Sequence, residues 1–208
     1  MSISFLSWTL GNRAACKILS KNYSGNAMTT IIALLRGINV GGNGKLKMDV
    51  LRTLCGDIGL LDARTYIQSG NVVFRSADPG SGECLAGAIE RTFGIRTTVV
   101  TRTAAELRAA VERNPISGVK PNQLLLSFLT AAPTAEAVEK VRQMEIVPEE
   151  IHIIGREMYI HFPLGQGVSK MPMARIERTL GVTGTGRNWT TVLALLAMAE
   201  SATPVSGA

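Results

Sequence analysis

The chain has 208 residues, 46% of them hydrophobic and 18% charged, a balance that excludes a disordered or fibrous protein and supplies the side chains of a packed core. No apolar run approaches the roughly 20 residues a membrane-spanning helix requires. The net charge of +6 suggests a nucleic-acid binder only until it is located: Arg13, Lys17, Lys21, Arg36, Lys45 and Lys47 precede the first acid, Asp49, and the remaining 16 basic residues are matched by 16 acidic ones.

Residues 1–27 are Ser-rich, basic and free of acids. They read as a disordered or non-native extension upstream of a start at Met28, with an organelle-targeting segment as the alternative. Cys16, Cys55 and Cys84 form no CxxC pair and read as reduced, structural thiols of a cytoplasmic protein.

From Met28 the apolar run "TIIALL", rich in β-branched residues, predicts a strand buried on both faces. The stretch "RGINVGGNGK" follows, with four glycines and two cations in ten residues. Next, "KMDVLRTLCGDIG" carries Met48, Leu51, Leu54, Cys55 and Ile58 at helical spacing and stops at Gly59. "ARTYIQ" and "NVVFRS" are two strands joined at Ser69-Gly70. Alternation turns Ile67, Val72 and Phe74 toward the helices and leaves Tyr66, Gln68, Val73 and Arg75 on the other face. "GECLAGAIERTFG" is a second helix and "RTTVVTR" a fourth strand, completing a βαββαβ order over 28–102.

A linking helix and loop over 103–123 come next, with Thr103 as N-cap and Glu106 at the capping-box spacing. The order then repeats over 124–200. "LLLSFL" is a strand, "TAEAVEKVRQM" a helix, "EEIHIIG" and "EMYIHF" a hairpin, "SKMPMARIERTLG" a helix capped by Ser169, and "VTGTGR" a short strand. The terminal helix "NWTTVLALLAMAE" is apolar on most sides and should be buried, and 201–208 reads as a tail. The predicted fold is α+β: two ferredoxin-like halves joined by a helix, with a C-terminal helix. The apolar central strands imply that both sheets are covered, by each other or by the linking helix.

Several motifs carry candidate chemistry. The glycine-rich stretch fails both nucleotide fingerprints, because Asn39 stands five before Gly44 and Leu46 follows Lys45, while Gly42-Asn43-Gly44 leads to Lys47. Backbone amides of such a loop entering a helix still bind anions, assisted by Arg36, Lys45 or Lys47, with Arg36 and Asn39 the better-fixed residues. The flexible-turn alternative requires no ligand. "GQGVSK" repeats this logic with Ser169 as cap and Lys170 in the first turn, where a lysine opposes the helix dipole unless an anion is held there. In "TGRNWTT", Asn188 caps the last helix, Arg187 reaches an anion or a carboxylate, and Trp189 is a packing anchor. His152 and His161, the only histidines, share a strand face with Tyr159. With Glu150 they form too small a set for a metal site, so none is expected.

"ALLRGINVGG", "YIQSGNVVF", Ser169-Lys170 and "TGRNWTTV" together resemble the uncharacterised bacterial family called domain of unknown function 1697, from Met28 to about Glu200. The resemblance implies two α+β halves and no established activity. The expected ligand set is Arg36, Asn39, Gln68, Ser69, Asn71, Ser169, Lys170, Arg187 and Asn188, binding a small anionic ligand such as a nucleotide or phosphorylated metabolite between the halves. Nucleic-acid binding through the hairpin faces and a protein-interaction module without catalysis are the alternatives. No cofactor and no membrane partner is expected, and no reaction is legible.

Overall fold

The computed structural model of the protein describes residues 27–39 and 46–201. The expectations for the N-terminal extension, for most of the glycine-rich loop including Lys45, and for the end of the tail lie outside those residues. The chain divides into two compact units, one running through Ala104 and taking in the chain from Met198 on, the other Ala105–Ala197.

In the first unit β1 (Thr29–Leu35) is followed by α1 (Met48–Asp57), the hairpin β2 (Leu61–Tyr66) and β3 (Asn71–Ser76), α2 (Ser81–Phe93) and β4 (Val99–Thr103). The sheet order is β2-β3-β1-β4, and every pairing is antiparallel. Ala33, Leu35, Val72 and Phe74 on one sheet face meet Leu51, Leu54 and Cys55 of α1 and Leu85, Ala88 and Ile89 of α2 in a single core. The sheet's other face is also dry at Ile32, Leu34, Val73 and Val100, as expected of an apolar central strand.

The second unit takes in α3 (Ala104–Glu112) from Ala105, then β5 (Leu124–Leu129), α4 (Ala135–Arg142), β6 (Glu150–Ile154), β7 (Glu157–His161), α5 (Met173–Leu180), β8 (Gly184–Asn188) and α6 (Trp189–Glu200) as far as Ala197. Its sheet order, β6-β7-β5-β8, repeats that of the first sheet position by position. The core again lies on one sheet face, where Leu129, Met158, Ile160 and Phe162 meet Val141, Ile176 and Leu180. The protein is thus α+β, with two βαββαβ halves of ferredoxin-like strand order.

The equivalence extends to single hydrogen bonds. Leu35 N–H donates to Gly70 O at 2.8 Å and Leu129 N–H to Arg156 O at 2.8 Å. Arg36 N–H donates to Thr98 O and Thr130 N–H to Thr183 O, both at 2.9 Å. By the same register Arg102 opposite Ile32 corresponds to Arg187 opposite Leu126. Both arginines are buried, at 1% and 7% exposure, and each donates to the carbonyl of the preceding residue in its own strand.

Helix ends follow local chemistry. The Thr134 hydroxyl accepts from Ala137 N–H at the start of α4, and Asn188 caps α6 by accepting from Thr191 N–H at 2.8 Å. Gly94 and Gly181 end α2 and α5 in the left-handed conformation. Glu106, in the first turn of α3, pairs with Arg156 at 2.6 Å.

Four expectations are corrected. α5 begins at Met173, not Ser169, because a proline disfavours helical backbone at the residue before it, and Pro172 itself is the N-cap. Ile67 does not face the helices: β2 ends at Tyr66, and Ile67 stands 50% exposed in the turn at φ 49°. α6 buries only the stripe Thr191, Val192, Leu195 and Ala199, leaving Leu193 exposed. Cys84 is disulfide-bonded, so the reduced-thiol reading holds for the free, buried Cys55 alone among the described cysteines.

Tyr159, on the face of the second sheet opposite its core, is fully buried and donates its hydroxyl to Ala110 O of α3 at 2.7 Å. Tyr159→Phe strands that buried carbonyl and should cost about 1–2 kcal/mol in urea unfolding. Burial pushes the Cys55 thiol from 9.0 up to about 12. Burial, helped by the charge of Glu157, pushes the Tyr159 hydroxyl from 10.0 up to about 12. Both groups stay protonated in the fold at pH values where the unfolded chain releases the proton. Their contribution is complete below about pH 9 and is lost as pH rises toward about 12. Unfolding measured across that window should show stability falling, and Cys55→Ala should flatten the decline.

Candidate functional site

The candidate residues of the first unit converge at one end of its sheet. Asn39, at φ 59°, lies just past the end of β1. Its side-chain Oδ1 accepts from Leu46 N–H at 2.8 Å, while Nδ2 donates to Leu46 O at 3.0 Å and to Gln68 O at 2.7 Å. One amide thereby pairs both backbone groups of Leu46, the residue before the N-cap of α1, and also holds the hairpin turn.

The turn is braced from within and from below. Asn71 is buried, and its Nδ2 donates to Tyr66 O at 2.9 Å and to Ser69 Oγ at 3.0 Å. Gly70 packs so closely on β1 that a Cβ there would stand 2.9 Å from Leu35 Cβ and 3.3 Å from Ile38 Cβ. Only glycine fits that approach at its φ of 74°. Ile67 and Asn39 both hold the left-handed region; for a β-branched residue this costs about 1–2 kcal/mol.

What this frame presents outward is polar. The Gln68 side chain is exposed, Ser69 and Arg36 are half-buried, and Arg36 O accepts from the Thr97 hydroxyl at 2.8 Å. Lys47 occupies the N-cap of α1 without a side-chain cap bond, and Asp49 is the acid in the first turn. The first amides of α1 have no intrahelical acceptor.

The other candidates are not part of this cluster. Ser169 donates to a Glu149 carboxylate oxygen and accepts from Met171 N–H at 3.1 Å. With α5 starting at Met173, the helix-terminus argument for an anion on Ser169 and Lys170 no longer applies. Arg187 donates to Thr185 Oγ1 at 2.8 Å and to Gly186 O at 2.9 Å, turned onto its own strand. Burial pushes its guanidinium down from 12.5 to about 10, which leaves it charged at neutral pH. Asn188 is spent on the cap of α6.

The hairpin of the second unit brings Glu150 within 2.6 Å of His152 Nε2 and 3.9 Å of His161 Nδ1. Among the described residues no group of three or more side chains is arranged to hold a metal ion. Nor is any helix among them long and apolar enough to cross a membrane.

Two motifs far apart in sequence, "ALLRGIN" and "YIQSGNVVF", thus prove to be one structural unit. The model of the family described as "Protein of unknown function (DUF1697)" matches residues 28–159, which contain both. The chain belongs to this family. The family match runs through the first unit and ends within β7, so Ser169-Lys170 and the stretch from Thr185 lie beyond it. A solved structure, that of a conserved bacterial protein from Streptococcus pneumoniae, is similar with a TM-score of 0.67 at 24% identity, covering 83% of this chain and 99% of that one. At that identity the likeness shows the shared fold. No curated protein matches the chain.

Sequence reasoning picked out Asn39 and Gln68 but missed the bond between them, together with Leu46 and Ile38 as its supports. The legible signal was an asparagine directly after Gly37-Ile38 at a strand end, a residue type that accepts the left-handed conformation and bonds locally. Asn39→Asp keeps the acceptor for Leu46 N–H and loses both donations. It should lower stability by about 1–3 kcal/mol in chemical unfolding and raise hydrogen exchange at Leu46 and in the 67–70 turn.

Proposed function

We propose that the protein binds a small anionic ligand, a nucleotide or phosphorylated metabolite, at the end of the first sheet. The observation that carries this reading is the start of α1: a helix N-terminus with a lysine at its cap and no side-chain cap, tied through Leu46 to the Gln68 carbonyl by the Asn39 amide. An anion there supplies acceptors for the free amides and offsets the unfavourable placement of Lys47. Asn39 and Asn71 are positioning residues, because their amide donors are already used within the frame. Arg36, Gln68 and Ser69 are the ligand-facing part of the set.

Nucleic-acid binding through the second hairpin draws less support, since Tyr159 is buried and committed to Ala110 O and offers no stacking face. The identical strand order and equivalent hydrogen bonds of the two units support an internal duplication. A cytoplasmic location fits the absence of a membrane-spanning helix among the described residues and the buried Cys55 thiol; the disulfide at Cys84 speaks against it.

Thermal-shift titrations with inorganic phosphate, pyrophosphate, nucleotides and sugar phosphates test the proposal. At a hundred times its dissociation constant the right ligand stabilises by about 2.7 kcal/mol, a rise of several degrees for a chain of this size. Arg36→Ala should remove the rise, measured against that variant's own unliganded melting temperature. No stabilisation by any of these anions overturns the reading.

A further inference from the structure

A second surface, in the Ala105–Ala197 unit, carries a different inference and does not rest on the anion-binding reading. Segments 145–149 and 164–172 enclose a groove of about 240 Å³. Val147, Leu164 and Val168, at 77%, 74% and 65% exposure, are the most exposed large hydrophobic residues among those described, and all three line it. Scattered exposed apolar residues need no explanation, but such residues gathered on one concave surface mark a docking site.

The charge of the groove selects its occupant. The groove's lining holds two acids, Glu145 and Glu149, and one cation, Lys170. The Ser169 hydroxyl donates to Glu149, and Met171 N–H in turn donates to Ser169, so the Glu149 carboxylate is oriented by the groove wall. The net negative rim disfavours anionic lipid surfaces, nucleic acids and phosphorylated ligands. It also disfavours a second copy docked face to face, which would gather four carboxylates against two lysines.

We propose that this groove binds a short linear segment of a partner protein in which a lysine or arginine adjoins a large aliphatic or aromatic residue. The apolar side chain enters among Val147, Leu164 and Val168. The cation meets Glu145 and Glu149 at the rim, which makes binding sensitive to salt.

The test is selection of a random heptapeptide display library on the full chain, followed by fluorescence polarisation with the fluorescein-labelled consensus peptide. A basic residue next to a Leu, Ile, Val, Met or Phe should dominate the selected set. Binding should weaken at least tenfold in Leu164→Ser/Val168→Ser and in Glu145→Gln/Glu149→Gln, and several-fold between 50 and 500 mM salt, on the order expected for screened rim charges. The two apolar and two acidic positions are tested separately, and circular dichroism confirms that each variant is folded. An acidic or featureless consensus, no enrichment at all, or binding unchanged in both folded double variants overturns the proposal. So does concentration-dependent dimerisation in sedimentation that Leu164→Ser/Val168→Ser abolishes, which would assign the groove to a second copy.

Discussion

The side-chain amide of Asn39 is the constraint on which the candidate site depends. It pairs both backbone groups of Leu46 and takes the Gln68 carbonyl as a third partner, so the end of β1, the start of α1 and the hairpin turn have one fixed relation. A carboxylate supplies no donors, and a hydrophobic residue supplies neither donors nor an acceptor. The left-handed backbone at Asn39 is tolerated because asparagine accepts it more readily than most residues, and the three hydrogen bonds offset its remaining cost.

The two units show how one strand order is given different ends. The position held by Gly70 in the first is held by Arg156 in the second, each carbonyl accepting from the last residue of the central strand. In the first unit the absence of a side chain lets the turn rest on Leu35 and Ile38. In the second, the guanidinium reaches out to Glu106 on α3. The glycine therefore brings a polar turn against a helix start, whereas the arginine binds a helix to the sheet edge.

Electrostatics separates the surfaces further. Lys47 stands at the start of α1 and Arg36 just past the end of β1, while Glu145 and Glu149 line the groove of the second unit. The overall charge of +6 describes neither place. Local sign, set by which side chains the fold brings together, decides which ligands each surface attracts. Arg102 and Arg187, buried at equivalent positions, add to the net charge without contributing to any exposed basic surface.

The order of elements was legible because periodicity is a local property: "TIIALL" and "LLLSFL" are strands on both readings, and alternation turned Val72 and Phe74 toward the helices, where they lie. The errors came where a single residue outweighs a pattern. Pro172 delayed α5 past Ser169, and the turn begins at Ile67, where the pattern had the strand run on to Gln68. Ser69-Gly70 was recognisable as a turn, but not what it rests upon, since Leu35 and Ile38 lie more than thirty positions away. By itself the sequence determined the class of fold, the βαββαβ order used twice and the inward stripe of α1, because burial of apolar side chains acts along short, regular spacings. Only the tertiary structure decided that Asn39 clasps Leu46 and Gln68, that Arg187 is buried, and that Val147 and Leu164 share a groove. Each of these depends on distances between parts of the chain that no local pattern encodes.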